Sequence, residues 1–343
     1  MKNKVREILR QNLHEDFHDL VLTKLHGDAS NRSYFRATLD GKKSYVIMQL
    51  PSGQASSVSE EITNLGSPPV ELPFINIARY LRKNGLPIPE IHHFEKQEGI
   101  VILEDLGGTT LESLVKEASP LECEKWYRKV IDLLIVFQSC RPNSECLAFQ
   151  RSFDETLYNW EFDHFLEYGI ESRSQTRLSP NPREEVRRFT HSISKTLSSL
   201  PSVLTHRDFQ SRNLMVHQES LYLIDFQDAL IGPLQYDLVA LLRDSYISLD
   251  WPLVERLVDY YLLKSGRSDT RPFKKAFDWI TVQRKLKDVG RFVYIDRIKK
   301  NSSFLKFIPV SLGYVREAFE RQEELRPLFE ILKKYVPEFK QYA

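Results

Sequence analysis

Three oxygen-bearing side chains in one short segment are spaced so that they could act together in catalysis and metal binding. In LTHRDFQSRNLMVHQESLYLIDFQDA, residues 204–229, Asp208 precedes Asn213 by five positions, and Asp225 follows the next apolar run. A tight loop can direct the Asp208 carboxylate at an acceptor hydroxyl while the Asn213 carbonyl turns back to a metal ion. Phosphoryl transfer needs such a carboxylate and oxygen ligands for Mg²⁺. The spacing therefore predicts Asp208 as catalytic base and Asn213 and Asp225 as magnesium ligands; the alternative is that Asp208 and Asn213 only cap turns and Asp225 starts one.

The elements that must position this segment begin with a strand-rich region. Alternating patterns in VLTKLHG, SYFRATL and SYVIMQL, between about residues 21 and 50, are joined by turn-forming residues and predict an antiparallel meander. A Ser-, Pro- and Gly-rich loop (52–73) and a helix (74–85) are expected next. The strand in GIVILEDLGG then leads to a Gly-Gly break near residue 107.

Helical periodicity dominates the rest of the chain, apart from the short strands of the opening segment. The fold class expected is α+β: a small antiparallel-sheet lobe over residues 1–106 that binds nucleotide, and a larger helical lobe over residues 107–343. The helical lobe would carry the catalytic and metal loops and the acceptor site. Two such lobes enclose a cleft.

Composition excludes several other classes of protein. The 343 residues carry 48 basic and 47 acidic side chains, so the net charge of +1 gives no global electrostatic reason to bind nucleic acid or a membrane surface. The three cysteines lack metal-type spacing and indicate reduced thiols. No apolar run is long enough to span a bilayer. A cytoplasmic protein with a small-molecule acceptor and no obligate protein partner is expected.

The catalytic segment also resembles a known family. LTHRDFQSRNLMV followed by LYLIDFQDALIGPLQYDLVALLRD resembles the aminoglycoside phosphotransferase and choline kinase superfamily, which shares the protein-kinase-like two-lobe fold. GDASNRSYFR, LEDLGGTTL, LLRDSYI and FDWITVQRKLKDVGRF resemble segments of the anomeric kinases of N-acetylmuramate and N-acetylglucosamine within that superfamily. The resemblance spans roughly residues 20 to 320. It implies ATP and Mg²⁺ as cofactors, an amino sugar's anomeric hydroxyl as acceptor, and a bracing role for Asp237.

The resemblance also implies where a nucleotide would bind. In ILEDL, the backbone of Glu104 and Leu106 would hydrogen-bond the adenine, and ATP and GTP are both left open. The phosphate turn HGDASNRS has a single glycine, so the backbone N–H groups from Ala29 through Ser30 to Asn31 are expected to hold the phosphates.

The lysine that protein kinases carry on the third strand is missing. YVIMQL has Met48 and Gln49 in its place, so the usual ion pair with a helix glutamate cannot form. Alternation along SNRSYFRA puts Arg32, Tyr34 and Arg36 on one strand face. Arg32, the cation nearest to the turn, is expected to contact the phosphates, with a solvated outer face as the alternative.

Candidate acceptor ligands lie in two helical segments. In NWEFDHF, carboxylates and an imidazole stand beside an aromatic ring, a combination common in sugar binding. In QRKLKDVGR, three cations recur at i, i+3 and i+7 and could bind a carboxylate or phosphate. The alternatives are a solvated helix face and a cationic surface stripe. The residues concerned are Glu161, Asp163, His164, Trp160, Arg284, Lys287 and Arg291.

Two other functions fit the sequence. A kinase for an aminoglycoside or for an amino alcohol such as choline would carry the same catalytic segment. A nucleotide-binding pseudokinase with a regulatory role would explain the missing lysine, although Asp208, Asn213 and Asp225 are all present.

Overall fold

A five-stranded antiparallel sheet forms the N-terminal part of the protein. The structure is a computed structural model that describes residues 1–25, 32–51 and 71–340. The strand order is β1-β2-β3-β5-β4, which confirms the predicted meander of the first three strands and adds a hairpin that was not predicted in full. Its strands are β1 (Leu20–Lys24), β2 (Ser33–Leu39), β3 (Lys43–Gln49), β4 (Ile91–Glu95) and β5 (Ile100–Glu104).

The sheet is buried on both faces because its central strands alternate between two apolar clusters. Tyr45 and Ile47 of β3 pack with Ile100 and Ile102 beneath the N-terminal helix α1 (Lys2–Asn12). Met48 lies on the opposite face, in the main cluster that continues into the helical part. The second face of the sheet therefore packs toward the helical part.

Helices make up most of the remaining chain, as predicted. Capping residues fix several of their starts; Asp154, for example, accepts the N–H of Leu157 at 2.8 Å. The predicted helix over 74–85 is α2. The helices after α1 are α2 (Pro73–Lys83), α3 (Leu111–Glu117), α4 (Pro120–Gln138), α5 (Glu155–His164), α6 (Pro180–Ser198), α7 (Tyr236–Leu242), α8 (Trp251–Lys264), α9 (Thr270–Lys299), α10 (Ile308–Arg321) and α11 (Arg326–Leu332).

Two small antiparallel strand pairs hold the catalytic segment within the helices. The first joins β6 (Ser202–Thr205) to β9 (Leu230–Pro233), and the second joins β7 (Leu214–His217) to β8 (Ser220–Leu223). Strand β9 was not expected, since its sequence LIGP is short and contains both glycine and proline. Gln218 and Glu219, both with positive φ, form the two-residue turn between β7 and β8.

The sheet continues into the helices through the segment 105–110. Gly107 has φ +82°, as the Gly-Gly break suggested, and Arg36 of β2 binds the Asp105 carboxylate through two hydrogen bonds of 2.6 and 2.9 Å. Arg36 also donates to the Gly107 carbonyl at 2.8 Å. The lobe boundary predicted at residue 106 falls in this segment and stays a prediction. The α+β two-lobe architecture itself is confirmed.

Of the helices in the described ranges, none combines the length and apolarity that crossing a membrane requires.

Candidate active site

The segment 206–213, named here the catalytic loop, lies between β6 and β7 and is held from below by Asp237. Asp237, fully buried at the start of α7, accepts the N–H of His206 at 2.6 Å and of Arg207 at 3.0 Å. Burial raises the pKa of Asp237 to about 7, opposed by these two hydrogen bonds. Arg207 has φ +74°, a conformation that this support must maintain. Asp237 thus has the bracing position that the sequence suggested.

Asp208 is one of several partly exposed residues in the loop. Its side chain is 39% exposed, and its Oδ1 lies 3.3 Å from Nη2 of the fully buried Arg284. Burial acts to raise the pKa of Asp208, but the positive charges of Lys287, Arg284 and Arg207 outweigh it and hold the pKa well below the usual value. Asp208 is therefore an ionised, oriented acceptor at neutral pH. A loose phosphoryl-transfer transition state needs little proton removal, so a weak but well-placed base suffices.

Asn213 and Asp225 come together beside Asp208. Asn213 donates its Nδ2 to the Asp208 carbonyl at 2.8 Å, which turns its Oδ1 away from the loop. Asp225 follows β8 in the left-handed conformation, with φ +64°, and Gln227 donates to its Oδ1 at 2.7 Å. Burial first, and then the negative charge of Asp208, raise the pKa of Asp225 to about 6.

These groups fit Mg²⁺ better than a softer metal. The donors are hard oxygens, an amide and a carboxylate, and the crowded negative charge that raises the pKa of Asp225 is what a bound cation would relieve. Across residues 1–25, 32–51 and 71–340, no group of three or more His, Cys, Asp or Glu could hold a metal ion by itself. Two protein ligands with the remaining positions left to phosphates and water are typical of Mg²⁺ in phosphotransferases.

The turn at residues 225–228 also contacts α2, the helix between β3 and β4. Phe226, directly after Asp225 and fully buried, stacks on Phe74 of α2 with ring centroids 4.9 Å apart. The backbone N–H of Leu223 donates to the carbonyl of Pro87 at 2.8 Å. The position of Asp225 therefore depends on α2 and on the segment that leads to β4.

The predicted adenine contacts lie at the end of β5. The Glu104 N–H donates to the Glu90 carbonyl at 2.8 Å, and the Leu106 carbonyl contacts the His217 ring nitrogen at 3.2 Å. An adenine contact would thus use the Glu104 carbonyl and the Leu106 N–H. The predicted phosphate contacts, the N–H groups of Ala29, Ser30 and Asn31, lie outside the described residues.

The strand position of the absent lysine is filled by Met48. Met48 is fully buried on the cleft side of the sheet, and its β2 partner is Tyr34. Gln49 points to the opposite side, where its Nε2 donates to the carbonyls of Glu98 and Gly99 at 3.0 and 3.3 Å. The cleft face of this strand is therefore apolar where a protein kinase has an ammonium group.

Arg32 and Arg36, which alternation placed on one face, have different surroundings. Arg32 hydrogen-bonds Tyr34 and adds positive charge beside Asp225, where it acts to lower the pKa of that carboxyl. Burial first, and then the charge of Asp225, raise the pKa of Tyr34 to about 12. Arg36 binds Asp105 instead, so of these two arginines only Arg32 lies beside Asp225.

Glu161 and Arg284, two of the predicted acceptor ligands, lie beneath the catalytic loop. Both side chains have no exposed surface. Glu161 accepts Nε2 of Gln283 at 2.6 Å and lies 3.5 Å from the Arg207 guanidinium, while Arg284 donates to the Arg207 carbonyl at 2.6 Å. The reason is that α9 crosses under the catalytic loop, so this part of its charged face is covered. These residues position the loop.

The other two predicted acceptor ligands, Asp163 and His164, have different surroundings. Asp163 receives two hydrogen bonds from Arg187 of α6, at 2.8 and 3.0 Å. His164 stacks on Trp160 with ring centroids 5.3 Å apart and lies 5.3 Å from the Tyr294 ring of α9. Burial, with Arg291 and Lys287 adding to it, lowers the pKa of His164 to about 4. His164 is therefore a neutral ring at pH 7, in an aromatic surface beside two cations.

Sequence reasoning missed two further supports of the catalytic loop. Asp244, fully buried, accepts the N–H of Ser211 at 2.8 Å and its hydroxyl at 2.6 Å. Arg212 binds Glu112 of α3 at 2.6 Å and stacks over the Tyr246 ring at 3.7 Å. Asp244 lies in LLRDSYI, a segment that was noted only for its resemblance to other proteins.

The fold is that of the phosphotransferases described next. The sequence profile of the phosphotransferase enzyme family matches residues 21–273, and the chain belongs to this family. The enzyme class predicted from the sequence is thereby confirmed.

Two relatives cover nearly the whole chain. The N-acetylmuramate/N-acetylglucosamine kinase of Neisseria meningitidis serogroup B is 30% identical over 326 residues, which is 93% of this chain and 91% of the relative. The protein with the same name in Pseudomonas aeruginosa is 28% identical over 311 residues, 89% of this chain and 86% of the relative.

Solved structures with the same fold are more distant in sequence. An ADP-bound aminoglycoside phosphotransferase superposes with a TM-score of 0.61 at 16% identity, covering 93% of this chain and 99% of the other. A choline/ethanolamine kinase family protein from Mesorhizobium loti gives a TM-score of 0.58 at 15% identity, covering 96% and 98%. At this identity the likeness establishes the fold.

Proposed function

We propose that the protein is an ATP- and Mg²⁺-dependent kinase that phosphorylates the anomeric hydroxyl of N-acetylmuramate or N-acetylglucosamine. The observation that carries the proposal is the exposed, ionised Asp208 beside the oxygen donors of Asn213 and Asp225. The names of the relatives, which span almost the full chain, supply the sugar class.

Asp208 is the general base in this mechanism. Its carboxylate accepts the proton of the acceptor hydroxyl as that oxygen attacks the terminal phosphorus in line with the leaving diphosphate. An anomeric hydroxyl is more acidic than an ordinary alcohol, which suits a carboxylate whose pKa is held low by Arg284 and Lys287. Asp237 and Arg284 keep the loop backbone fixed while this happens.

Asn213 and Asp225 would hold Mg²⁺, which neutralises charge on the phosphates when it is bound. The Asp225 carboxylate is kept in place by Gln227 and by the left-handed turn. The adenine would be bound by the Glu104 carbonyl and the Leu106 N–H. The triphosphate would meet Arg32 and the backbone N–H groups of residues 29–31. Met48 would contribute apolar contact only.

The test of this proposal is the structure of the product. Purified protein is incubated with ATP, Mg²⁺ and each sugar, with an aminoglycoside and choline as the other acceptors. The expected product is a glycosyl 1-phosphate, which has lost its reducing end and shows phosphorus coupling to the anomeric proton. Phosphate at C6 with an intact reducing end would refute the anomeric assignment. Turnover of choline or an aminoglycoside alone would refute the sugar assignment.

A further inference from the structure

Helix α9 carries a fully buried lysine directly after Arg284. The Lys285 side chain has no exposed surface, and its ammonium group lies 2.7 Å from Oδ2 of the buried Asp288, about one turn further along the helix. The ammonium group also donates to the Ser245 hydroxyl at 3.1 Å. Burial of a charge is costly unless the charge is paired and hydrogen-bonded, so these two contacts are what allow the lysine to lie in the interior.

The hydrogen bonds around Lys285 have a defined direction. Ser311 of α10 donates its hydroxyl to the Phe307 carbonyl at 2.9 Å, and its oxygen lies 2.8 Å from the Ser245 hydroxyl. Because the proton of Ser311 is used by Phe307, Ser245 donates to Ser311, and its own oxygen accepts from Lys285. The ammonium group is therefore held beside the chain that follows α7.

The residue before Ser245 in this chain is Asp244, the buried carboxylate that supports the catalytic loop. Its Oδ2 accepts the N–H and the hydroxyl of Ser211, and its Oδ1 accepts the N–H of Tyr246 at 3.0 Å. Burial raises the pKa of Asp244, and the charge of Lys285 is the largest influence that opposes this rise. Lys285 thus favours the ionised carboxylate, which can accept hydrogen bonds with both oxygens.

The contact between Asp244 and Ser211 fixes one end of the 3₁₀ turn Ser211–Asn213. At the other end, the Asn213 carbonyl accepts the N–H of Ile224 at 3.1 Å, and Ile224 directly precedes Asp225. A displacement of Ser211 would therefore reach both proposed magnesium ligands. Replacement of a residue that holds a metal ligand in place typically lowers metal affinity by about 10- to 100-fold.

We propose that Lys285 is a positioning residue for magnesium: its charge holds the Asp244 carboxylate against Ser211, and Ser211 fixes the turn that carries Asn213. This inference rests on the proposed role of Asn213 as a magnesium ligand. Lys285 contacts neither nucleotide nor acceptor, because its side chain is enclosed. Asp288 keeps this part of the interior near neutrality.

The test measures magnesium binding separately from turnover. Calorimetry on the purified full-length protein gives the Kd of ADP once with Mg²⁺ and once with EDTA. For Lys285→Met, the Kd of Mg²⁺–ADP is expected to rise about tenfold, while the Kd in EDTA stays at the wild-type value. Loss of a purely structural lysine would change neither Kd or would change both equally, and either result would overturn the inference.

Arg321→Met is the matched control. Arg321 binds the buried Asp278 of α9 through two N–H groups at 2.7 and 3.0 Å, so this substitution also removes a cation from a buried carboxylate on the same helix. The urea midpoint should fall for Arg321→Met as it does for Lys285→Met. Both Kd values should remain at the wild-type level for the control, and a tenfold weaker Mg²⁺–ADP complex there would contradict the assignment to Lys285.

A double-mutant cycle tests whether Lys285 acts through Ser211. Ser211→Ala removes the hydroxyl that Asp244 accepts at 2.6 Å, and this variant is also expected to weaken Mg²⁺–ADP binding. Because both substitutions act on one contact, the double variant should bind Mg²⁺–ADP about as weakly as the weaker single variant. Fully additive losses would show that Lys285 does not act through Ser211.

The design also covers failure to fold. If Lys285→Met does not fold, Lys285→Met/Asp288→Asn takes its place, since this pair of changes removes both charges of the buried ion pair. The same tenfold, magnesium-specific loss is expected, because Asp244 still lacks its cation. Wild-type protein that bound ADP equally with Mg²⁺ and with EDTA would refute the proposed role of Asn213, and the inference with it.

Discussion

The close approach of α9 to the residues after α5 makes Gly290 a sensitive position. A Cβ built at Gly290 would lie 2.9 Å from the Cα of Phe165, 3.0 Å from its N and 3.0 Å from the His164 carbonyl oxygen. All three are backbone atoms, so no side chain can rotate away, and α9 would have to move by several tenths of an ångström. Gly290→Ala is therefore expected to destabilise the protein.

The size of the effect follows from two opposing terms. Overpacking a filled site costs about 1–3 kcal/mol, and backbone contacts near 3 Å belong in the upper half of that range. Replacing glycine by alanine inside a helix contributes about 1 kcal/mol in the favourable direction. The net loss for Gly290→Ala is then about 1–2 kcal/mol of unfolding free energy.

Gly313 provides the matched control. It lies inside α10, and a Cβ there would meet nothing within 4 Å, so Gly313→Ala should stabilise the protein by the helix term alone. The difference between the two variants isolates the packing cost, about 2–3 kcal/mol. Thermal unfolding followed by circular dichroism should rank Gly313→Ala above wild type and wild type above Gly290→Ala. Equal stabilities for the two variants would refute the reasoning.

Three other predictions concern the site itself. Asp208→Asn should lower kcat by about a hundredfold or more while nucleotide binding measured by calorimetry stays near wild type, and Asp225→Asn should instead weaken Mg²⁺–nucleotide binding; similar behaviour of the two would contradict their assigned roles. Arg32→Ala should raise the KM for ATP several-fold and leave the sugar KM nearly constant, and an unchanged ATP KM would remove Arg32 from the phosphate site. Asp237→Ala leaves two buried N–H groups of the catalytic loop without acceptors, at about 1–3 kcal/mol each; the urea midpoint should fall accordingly, and a midpoint equal to wild type would show that the loop does not depend on this carboxylate.

The sequence was most informative where function depends on a short stretch of chain. Asp208 and Asn213 are five residues apart in a loop between two strands, so their proximity follows from local geometry. The meander was also readable, because turn-forming residues separate three alternating strands. Such local patterns limit the conformations of a chain without reference to distant segments.

Burial of charge could not be read in the same way. Periodicity places Arg284 and Lys287 on one face of a helix, but it does not show that the catalytic loop covers the first of them. The partners of Arg284 are 76 and 77 residues away in sequence, and Gln283 meets Glu161 across 122 residues. The π-helical turn after α5, which brings the aromatic rings to α9, has no recognisable sequence signal either.

The buried position of Met48 determines what a kinase-type lysine would cost at this site. A lysine at position 48 would place an ammonium group in a fully buried position, on the face of the sheet that shares an apolar cluster with α2. Helix α2, PFINIARYLRK, contains no acidic residue that could pair with it. Met48→Lys would therefore introduce a buried charge without a partner from α2. The apolar surroundings of Met48 thus exclude a simple lysine replacement as a way to obtain the ion pair of protein kinases.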